Sequence, residues 1–480
     1  MSRPPPLTVE YLEATAATDP QRLALWEEGR ALSYAQLHGL VAQCALALQR
    51  LGVRRGERLA VAGPGFGLQL VVLLAAEGLG AVTLSFQADD DPDLDFLLTQ
   101  VDRVFSGRPL AVPPQLPFHL LDEAFVRALA APLGAARPAW VPLPFDAPQR
   151  ITRTSGSSGR SKFMLLSRQA LEWQIATTVE MRGWEMLPGT RMLVLCPLVV
   201  NWGYSRGSAC LRRGGAIVVG GGASIAEMAP THVFGLPLQL QRLLAEMPPD
   251  YRPPRPVSVA TFGGAVPADL RRRAEAVFGG TMHNRYGSNE VGVVCDELDA
   301  TGTGVVRQGV DARIVGPDGA DVPWGQDGIL VMRSPGLPQG YLGRPQETAA
   351  AFRDGWFHSG DVAAWVAPRL LRLAGRHDDL VAVGGIKVPA ARLEQQLRAQ
   401  PAIADAAVVT ALMDGGAASL GIAVVAAAGA DPADVGTQVQ QALANEVAAP
   451  ARLLVLSDLP RMQSGKLDRM ALLRLFQAGR

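Results

Sequence analysis

The segment TSGSSGRSK, residues 154–162, places hydroxyl groups, glycines and two cations shortly after the apolar Ile151. Glycine lets backbone N–H groups close around an anion, so this segment predicts a loop that binds the phosphates of a nucleotide. The residues expected to contact phosphate are Thr154, Ser155, Gly156, Ser157, Ser158, Gly159 and Lys162. The segment does not match the Walker A pattern, and taken alone it is compatible with a plain flexible connection.

Lysine is almost absent from the chain, with only three among 45 basic residues. Each lies beside a glycine- or serine-bearing turn: Lys162, Lys387 in GGIKV (384–388) and Lys466 in QSGKLDR (463–469). A compact ammonium on a thin stem reaches a phosphate or carboxylate oxygen where a planar guanidinium does not fit. The three positions therefore indicate chemistry.

Length and composition predict a multidomain protein with no nucleic-acid or membrane partner. The chain has 480 residues, 48% of them hydrophobic, and its 45 acidic residues balance the 45 basic ones. A chain of this length usually divides into domains, because a single hydrophobic core stops growing at a smaller size. Zero net charge gives no overall electrostatic attraction to nucleic acid or to an anionic bilayer. The most apolar stretch, residues 68–84, is interrupted by Glu77, so we expect a buried core helix there.

The cysteines and the N-terminus indicate the compartment. Cys44, Cys196, Cys210 and Cys295 are scattered without metal-ligand spacing, which favours reduced core thiols over a zinc site or disulfides. The opening MSRPPPL has no apolar leader region. We therefore expect a cytoplasmic protein.

Helical and strand patterns alternate from Leu7 onward, which predicts an α/β fold with mostly parallel sheets. Buried strands are predicted at 191–200 and 216–220. Paired acids and glycines at 375–385 are typical of a hinge or linker. The predicted domains are residues 1–376 and a mobile α+β domain, residues 377–480. Within the second we expect helices at 389–400 and 432–447 and strands at 404–410, 421–427 and 452–456.

Other motifs offer groups suited to a nucleotide. In YGSNE (286–290), Tyr286 presents a face for adenine and Glu290 a carboxylate for Mg²⁺. DGWFHSGD (354–361) ends in an acid suited to ribose hydroxyls, and Arg376 could serve the ribose from the hinge. The plain alternatives are a core tyrosine, a surface turn and a solvated charge pair.

In the order of its motifs the chain resembles the acyl-adenylate-forming enzymes: acyl- and aryl-CoA synthetases, luciferases and adenylation domains of nonribosomal peptide synthesis. The motifs that carry the resemblance are ALSYAQL (31–37), THVFGLP (231–237), TFGGAVP (261–267), RYGSNE (285–290), DGWFHSGD (354–361), GRHDD (375–379) and QSGKLDR (463–469). The resemblance implies a large N-terminal domain with two αβ sheets and a small distorted β-barrel, followed by the mobile domain. It also implies that ATP and Mg²⁺ convert a small carboxylic acid to acyl-AMP and pyrophosphate, before transfer to a pantetheine thiol.

The resemblance assigns a role to each motif. Glu290 would hold Mg²⁺, Lys162 and Lys466 would be catalytic cations, and Asp378 would be the hinge. The nucleotide would also contact Gly263, Gly264, Ala265, Arg285, Tyr286, Gly287, Ser288, Asn289, Asp361 and Arg376. After the small domain rotates, a loop with Gly384, Gly385 and Lys387 would replace Lys466 for thiol transfer. Asn289 stands where the family usually has threonine, and Phe163 where it usually has glycine; neither departure removes a charge.

The sequence favours an aryl or small cyclic acid as substrate. By resemblance, Asn201 stands where amino-acid-activating enzymes carry an aspartate, so an ammonium would be left unpaired. Trp202 and Phe234 are expected to wall a flat slot. The predicted pocket residues are Asn201, Trp202, Ser205, Phe234, Gly264, Gly287 and Gly292. Arg206 breaks the aryl pattern; we expect it to point to solvent, and the alternative is contact with a polar substituent or a second carboxylate.

The acceptor thiol belongs either to CoA or to a carrier protein. The short chain and aryl-like pocket favour a carrier protein acting in trans, as in secondary-metabolite biosynthesis. The rival functions are a short- or medium-chain acyl-CoA synthetase and an amino-acid-activating enzyme. A non-catalytic nucleotide-binding paralogue is disfavoured, because Lys466, Glu290 and Asp361 are all present.

Overall fold

The structure, a computed structural model, forms two compact units. The residues that it describes are 4–88, 91, 93–132, 134–154, 161–179, 184–264, 266–376, 380–383, 386–412, 418–443, 451–461 and 467–478. The first unit comprises Met1–Glu297, Arg307–Val310 and Arg333–Phe357, and the second Leu298–Val306, Asp311–Met332 and His358–Arg480. Asp378 lies outside the described residues, and the domain boundary placed there stays a prediction.

Helices and strands alternate through most of the chain, which confirms the α/β class. The helices are α1 (Thr8–Thr18), α2 (Tyr34–Arg50), α3 (Phe66–Gly78), α4 (Leu94–Leu98), α5 (Glu123–Leu129), α6 (Arg168–Val179), α7 (Asn201–Arg212), α8 (Ile225–Met228), α9 (Pro237–Glu246), α10 (Ala268–Phe278), α11 (Pro345–Ala351), α12 (Ala390–Arg398), α13 (Pro432–Leu443) and α14 (Arg469–Ala478). The strands are β1 (Leu23–Glu27), β2 (Arg30–Ser33), β3 (Arg58–Ala62), β4 (Val82–Ser85), β5 (Arg103–Ser106), β6 (Phe118–Leu120), β7 (Pro148–Thr154), β8 (Lys162–Ser167), β9 (Arg191–Val194), β10 (Ala216–Val219), β11 (His232–Gly235), β12 (Ser258–Phe262), β13 (Met282–Ser288), β14 (Gly292–Cys295), β15 (Thr303–Val305), β16 (Asp311–Val315), β17 (Gly328–Arg333), β18 (Phe352–Arg353), β19 (Trp356–Ala367), β20 (Leu370–Arg376), β21 (Leu380–Val383), β22 (Ile386–Pro389), β23 (Ile403–Leu412), β24 (Ala418–Ala426) and β25 (Ala451–Leu456).

Two sheets with helices packed against them build the first unit. One has the strand order β14-β13-β12-β11-β9-β10-β1-β2 and is parallel from β13 to β1. The other has the order β6-β5-β3-β4-β7-β8 and is parallel except for the β7–β8 hairpin. Parallel sheets bury both faces, which explains the continuous apolar runs that the strands show in the sequence.

The helix expected over 68–84 is shorter than predicted. Helix α3 ends at Gly78, Gly80 adopts a φ of +77°, and β4 takes the last apolar residues of the stretch. A left-handed backbone favours glycine and cannot continue a helix, so this turn divides one apolar run into two elements. The run 191–200 is likewise a strand only as far as Val194, and helix α7 begins at Asn201.

The second unit contains a β-rich part and an α+β part. The β-rich part has the strand order β15-β20-β19-β17-β16. The α+β part has β23, β24 and β25 in one sheet, with Leu393 and Leu397 of α12 in the same buried cluster as Val408 of β23. The helices and strands predicted for the C-terminal domain are confirmed within a few residues at their ends, except at the end of α13, beyond which 444–450 are not described. None of the helices in the described ranges is long and apolar enough to cross a bilayer.

Candidate active site

The ends of the predicted phosphate loop lie opposite each other in the β7–β8 hairpin. Thr154 pairs with Lys162, and Arg153 pairs with Phe163. The middle of the loop, Ser155 to Arg160, lies outside the described residues. Phe163 is buried against Phe96, with ring centroids 5.4 Å apart, so the bulky side chain at this departure from the family fills the core.

Glu290 and Lys162 meet at the ring of Tyr341, a residue that sequence reasoning missed. The Tyr341 hydroxyl donates to Glu290 Oε1 over 2.9 Å, and Lys162 Nζ lies 4.9 Å from the centre of its ring. Glu290 is buried, and Tyr341 lies in the polar segment GYLGRPQET (340–348). A tyrosine in a glycine-containing loop was the feature of the sequence that could have identified Tyr341 as a site residue.

These residues fit Mg²⁺ bound with a nucleotide. Mg²⁺ usually takes one or two protein carboxylates and completes its shell with phosphates and water. Glu290 offers one buried carboxylate, and the neighbouring Asn289 has a buried Oδ1 with no hydrogen-bond partner in the described part of the chain. The described residues hold no cluster of three or more acidic, histidine or cysteine side chains that could form a metal cage by itself.

The residues predicted to frame adenine lie at the carboxyl ends of β12 and β13. Gly263, with a φ of +78°, and Gly264 follow β12, whereas Ala265 is not described. Tyr286 and Ser288 lie on β13, opposite Cys295 and Gly292 of β14. Ligands of open α/β sheets bind outside the carboxyl ends of the strands, which agrees with this placement.

Asp361 and Arg376, the predicted ribose ligands, form a pair within the second unit. They lie opposite each other in β19 and β20, and Arg376 Nη1 donates to Asp361 Oδ1 over 3.3 Å. The backbone N–H of Asp361 donates to Ser359 Oγ. Lys387 lies on β22, whereas Lys466, Gly384 and Gly385 fall outside the described residues.

The predicted acid pocket brings an aromatic cluster together. Phe262, which sequence reasoning missed, stacks on Trp202 at 5.1 Å and on Phe234 at 4.8 Å between ring centroids. Gly287 adjoins this cluster closely, because a Cβ there would lie 2.9 Å from Trp202 Cη2. Ser205 is buried on α7, one turn beyond Trp202. Gly292 lies beside the indole of Trp173 rather than beside the cluster, and the nearest atom to a Cβ at Gly264 would be Pro237 Cγ, 4.0 Å away.

Asn201 belongs to a buried polar network. Its Oδ1 accepts from Arg150 Nε over 3.0 Å, and its Nδ2 donates to Gln174, whose own amide donates to the backbone carbonyl of Asn289. Arg150 also lies 3.5 Å from the buried Glu77 carboxylate. Sequence reasoning missed Arg150 and Gln174, although Glu77 inside an apolar helix signalled that a buried cation was needed.

Arg206 is buried, and the expectation that it points to solvent is wrong. Its Cζ lies 4.6 Å from the ring centroid of Trp202 and 5.1 Å from that of Phe234, so the guanidinium covers both rings. Arg285 is also buried, with Nη1 donating to the backbone carbonyl of Asp296 over 2.7 Å. Both arginines therefore lie in the interior of the first unit.

Comparison with known proteins identifies the family. The family model for AMP-binding enzymes matches residues 12–94 and 117–342, a range that includes the β7–β8 hairpin, α7 and Glu290. The chain belongs to the AMP-binding enzyme family. The family resemblance expected from the motifs is thus confirmed.

Relatives agree with this assignment over most of their length. Feruloyl-CoA synthase from an Amycolatopsis species is 31% identical over 82% of this chain and 83% of that protein. Indoleacetate–CoA ligase from Aromatoleum aromaticum is 27% identical, with 96% of both chains covered. The ATP-bound MatB structure from Rhodopseudomonas palustris matches 98% of this chain and 99% of that one, with a TM-score of 0.82 and 24% identity, which shows a shared fold.

Membership of the AMP-binding family defines the reaction. The protein is an AMP-forming acid–thiol ligase that uses ATP to adenylate a carboxylic acid and passes the acyl group to a thiol. The predicted enzyme class and the ATP requirement are confirmed.

Proposed function

We propose that this ligase activates an aryl or small cyclic carboxylic acid and transfers it to CoA. The observation that carries the proposal is the cluster of Trp202, Phe262 and Phe234 at the carboxyl side of the parallel sheet. Parallel aromatic rings provide the flat apolar walls that suit another ring. The names of the two relatives, feruloyl-CoA synthase and indoleacetate–CoA ligase, specify aromatic acids and support the same class.

The polar groups beside the aromatic cluster disfavour an α-amino acid. Asn201 is neutral and already bonded to Arg150 and Gln174. Arg206 is a buried cation that covers Trp202. A substrate ammonium would therefore be desolvated next to a like charge, which costs several kcal/mol by order of magnitude.

Adenylation is proposed to depend on charge neutralisation by the predicted site residues. The acid and ATP are both anions, so cations must reduce their repulsion before the carboxylate oxygen attacks the α-phosphorus and pyrophosphate leaves. Lys162 is proposed to act from the end of the predicted phosphate loop, and Lys466 is proposed to reach both reactants. Glu290 would hold Mg²⁺, which supplies charge neutralisation at the phosphates when bound.

The remaining predicted residues are proposed to serve the nucleotide and the second half-reaction. The pair Asp361–Arg376 offers a carboxylate and a guanidinium to the ribose hydroxyls. Rotation at Asp378 would then exchange Lys466 for the strand that carries Lys387. We place CoA ahead of a carrier protein, because the relatives matched over most of both chains are named for CoA. ATP and CoA are cytoplasmic metabolites, and the cysteines are free and buried, which supports a cytoplasmic location.

ATP–pyrophosphate exchange tests the substrate class. We expect an aryl acid from a panel of benzoates, cinnamates and arylacetates to exceed every fatty acid and proteinogenic amino acid by at least about tenfold in kcat/KM. Trp202→Ala should lower exchange with the best aryl acid, whereas Trp324→Ala, at an exposed tryptophan of the second unit, should not. A fatty acid or an amino acid as the best substrate would refute the proposal. Thioester formation with free CoA, followed by chromatography, tests the acceptor.

A further inference from the structure

Arg206 has more hydrogen-bond donors than the described residues around it accept from. A guanidinium carries five N–H groups. Nη1 donates to Thr178 Oγ1, but Nε and Nη2 are buried without a hydrogen-bond partner among the described residues. Stacking on Trp202 explains how the side chain packs, but it provides no hydrogen-bond acceptor for Nε and Nη2. Buried donors in native proteins are almost always paired, so we expect an acceptor for these N–H groups that is not among the described residues.

Arg285 shows the same deficit on the adjoining strand. It lies opposite Phe262 in the β12–β13 register, and directly opposed residues of neighbouring strands point to the same face. Its Nε and Nη2 are also buried without a partner in the described part of the chain. Two arginines beside one aromatic cluster thus hold four buried donor nitrogens that no described group accepts from.

The charges of the described residues in this region do not balance. Arg307 is a third cation, and its Nη1 lies 3.2 Å from Asp296 Oδ1, while Arg285 Nη1 lies 3.7 Å from the same oxygen. The pKa of Arg206 is held well below its usual value because burial, Arg285 and Arg307 together outweigh the attraction of Asp296. Burial lowers the pKa of Arg285 to about 10, although Asp296 and Glu297 oppose this effect. The described residues thus leave an excess of buried positive charge, which an anion would stabilise.

We propose that Arg206 and Arg285 form a second anion subsite, which binds a carboxylate at the end of the substrate remote from the one that is adenylated. This role for Arg285 replaces the nucleotide contact that the family resemblance implied. The substrate class is then an aromatic dicarboxylic acid. This inference rests on the proposed function, because it assumes that the aromatic cluster holds the acid. The flat ring would lie against the aromatic side chains, and the remote carboxylate would accept from the unused guanidinium donors in the forked geometry that arginine favours.

Matched acids test the subsite in ATP–pyrophosphate exchange without CoA, so that only the acid half-reaction is measured. The panel pairs benzene-1,3- and benzene-1,4-dicarboxylate and the carboxymethylbenzoates with their monomethyl esters and with benzoate. We expect at least one diacid to exceed its monomethyl ester by about 100-fold in kcat/KM, because sites built to hydrogen-bond a substrate group reject analogues that lack it. Equal exchange with diacids and esters would overturn the subsite and leave the proposed function intact. No exchange with any aryl acid would overturn both.

Variants separate recognition from packing. Arg206→Met keeps the volume over Trp202 and removes the donors, so kcat/KM should fall at least about 30-fold more for the diacid than for benzoate. Arg272→Met, at an exposed arginine of α10, is the control and should preserve the ratio. An equal loss for both acids in Arg206→Met would show that the residue acts only in packing. In wild type, the preferred diacid should raise Tm more than its monoester, a readout that does not depend on the variants folding.

Discussion

Tyr341 connects two residues from separate motifs, since its hydroxyl donates to Glu290 Oε1 over 2.9 Å while its ring lies 4.9 Å from Lys162 Nζ. Glu290 follows β13, and Lys162 begins β8 of the other sheet in the first unit. A single buried phenol therefore fixes the proposed metal carboxylate relative to the phosphate-loop lysine.

Tyr341→Phe tests this contact. The variant keeps the ring beside Lys162 but removes the hydroxyl that donates to Glu290 Oε1, so the carboxylate is oriented less firmly. We expect the KM for MgATP in pyrophosphate exchange to rise about tenfold, a usual effect of losing one hydrogen bond to a charged group. Tyr251→Phe is the matched control, because the buried Tyr251 hydroxyl has no partner in the described residues. Identical Mg²⁺ titrations for the two variants would show that Tyr341 does not position Glu290.

Lys466→Ala and Lys387→Ala should separate the two half-reactions. Loss of a cation aimed at the transition state should slow adenylation by about two to three orders of magnitude in Lys466→Ala. Transfer of a preformed aryl-adenylate to CoA should survive in that variant and weaken in Lys387→Ala. Both rates are measured by rapid quench. Equal losses in both half-reactions for Lys466→Ala would contradict its assignment to adenylation.

Glu77→Gln should destabilise the first unit. Glu77 is buried, accepts from Thr83 Oγ1 over 2.6 Å and from the Tyr204 hydroxyl, and lies 3.5 Å from Arg150. Its neutralisation leaves the Arg150 charge buried without its counter-ion, so we expect the free energy of unfolding to fall by about 3 kcal/mol. Urea denaturation provides the measurement.

An exposed pair on α5 supplies the control for Glu77. Glu123 lies 3.2 Å from Arg127, with both side chains largely in solvent, and Glu123→Gln should leave the urea midpoint unchanged. If the two variants behaved alike, the buried pair would contribute nothing beyond a surface contact.

His232 makes stability depend on acid pH. Burial, with help from Arg255, lowers its pKa to about 4, whereas the unfolded chain retains the ordinary value of about 6.5. Between these values the unfolded state binds a proton that the folded state does not, so stability is complete above about pH 6.5 and falls as the pH drops toward 4. The expected loss in unfolding free energy is about 3 kcal/mol. His232→Gln should flatten this part of the profile in urea titrations at pH 7, 6 and 5. Parallel plots of stability against pH for wild type and His232→Gln would show that His232 does not cause the acid destabilisation.

Periodicity and apolar runs predicted most of the fold, because both depend on local spacing. The pattern of α12, β23, β24, α13 and β25 follows from alternation between helical and strand periods. The ends of helices and strands were harder to predict, as at Gly80, where one apolar run contains both a helix and a strand. Apolar content alone does not show where the backbone turns.

The buried charges were not predictable in the same way. Nothing in the local sequence distinguishes Arg206 from an arginine on the surface. Its guanidinium is buried against Trp202 and against Phe234, which lies on a strand farther along the chain. Arg150 and Glu77 are 73 residues apart, and only the sheet order brings them within 3.5 Å. The motifs predicted to bind nucleotide were recognisable because their residues are contiguous in sequence, whereas the proposed acid pocket is assembled from several elements.

The pairing of Thr154 with Lys162 limits how this gene can change in length. Side chains alternate between the two faces of a strand, so loss of one residue from β8 would exchange the faces of Lys162 and Phe163. The ammonium would then enter the core beside Phe96, and the phenyl ring would take its place at the predicted phosphate site. Substitutions in this hairpin can be neutral, but single-codon deletions within its strands should be absent from functional descendants of the gene.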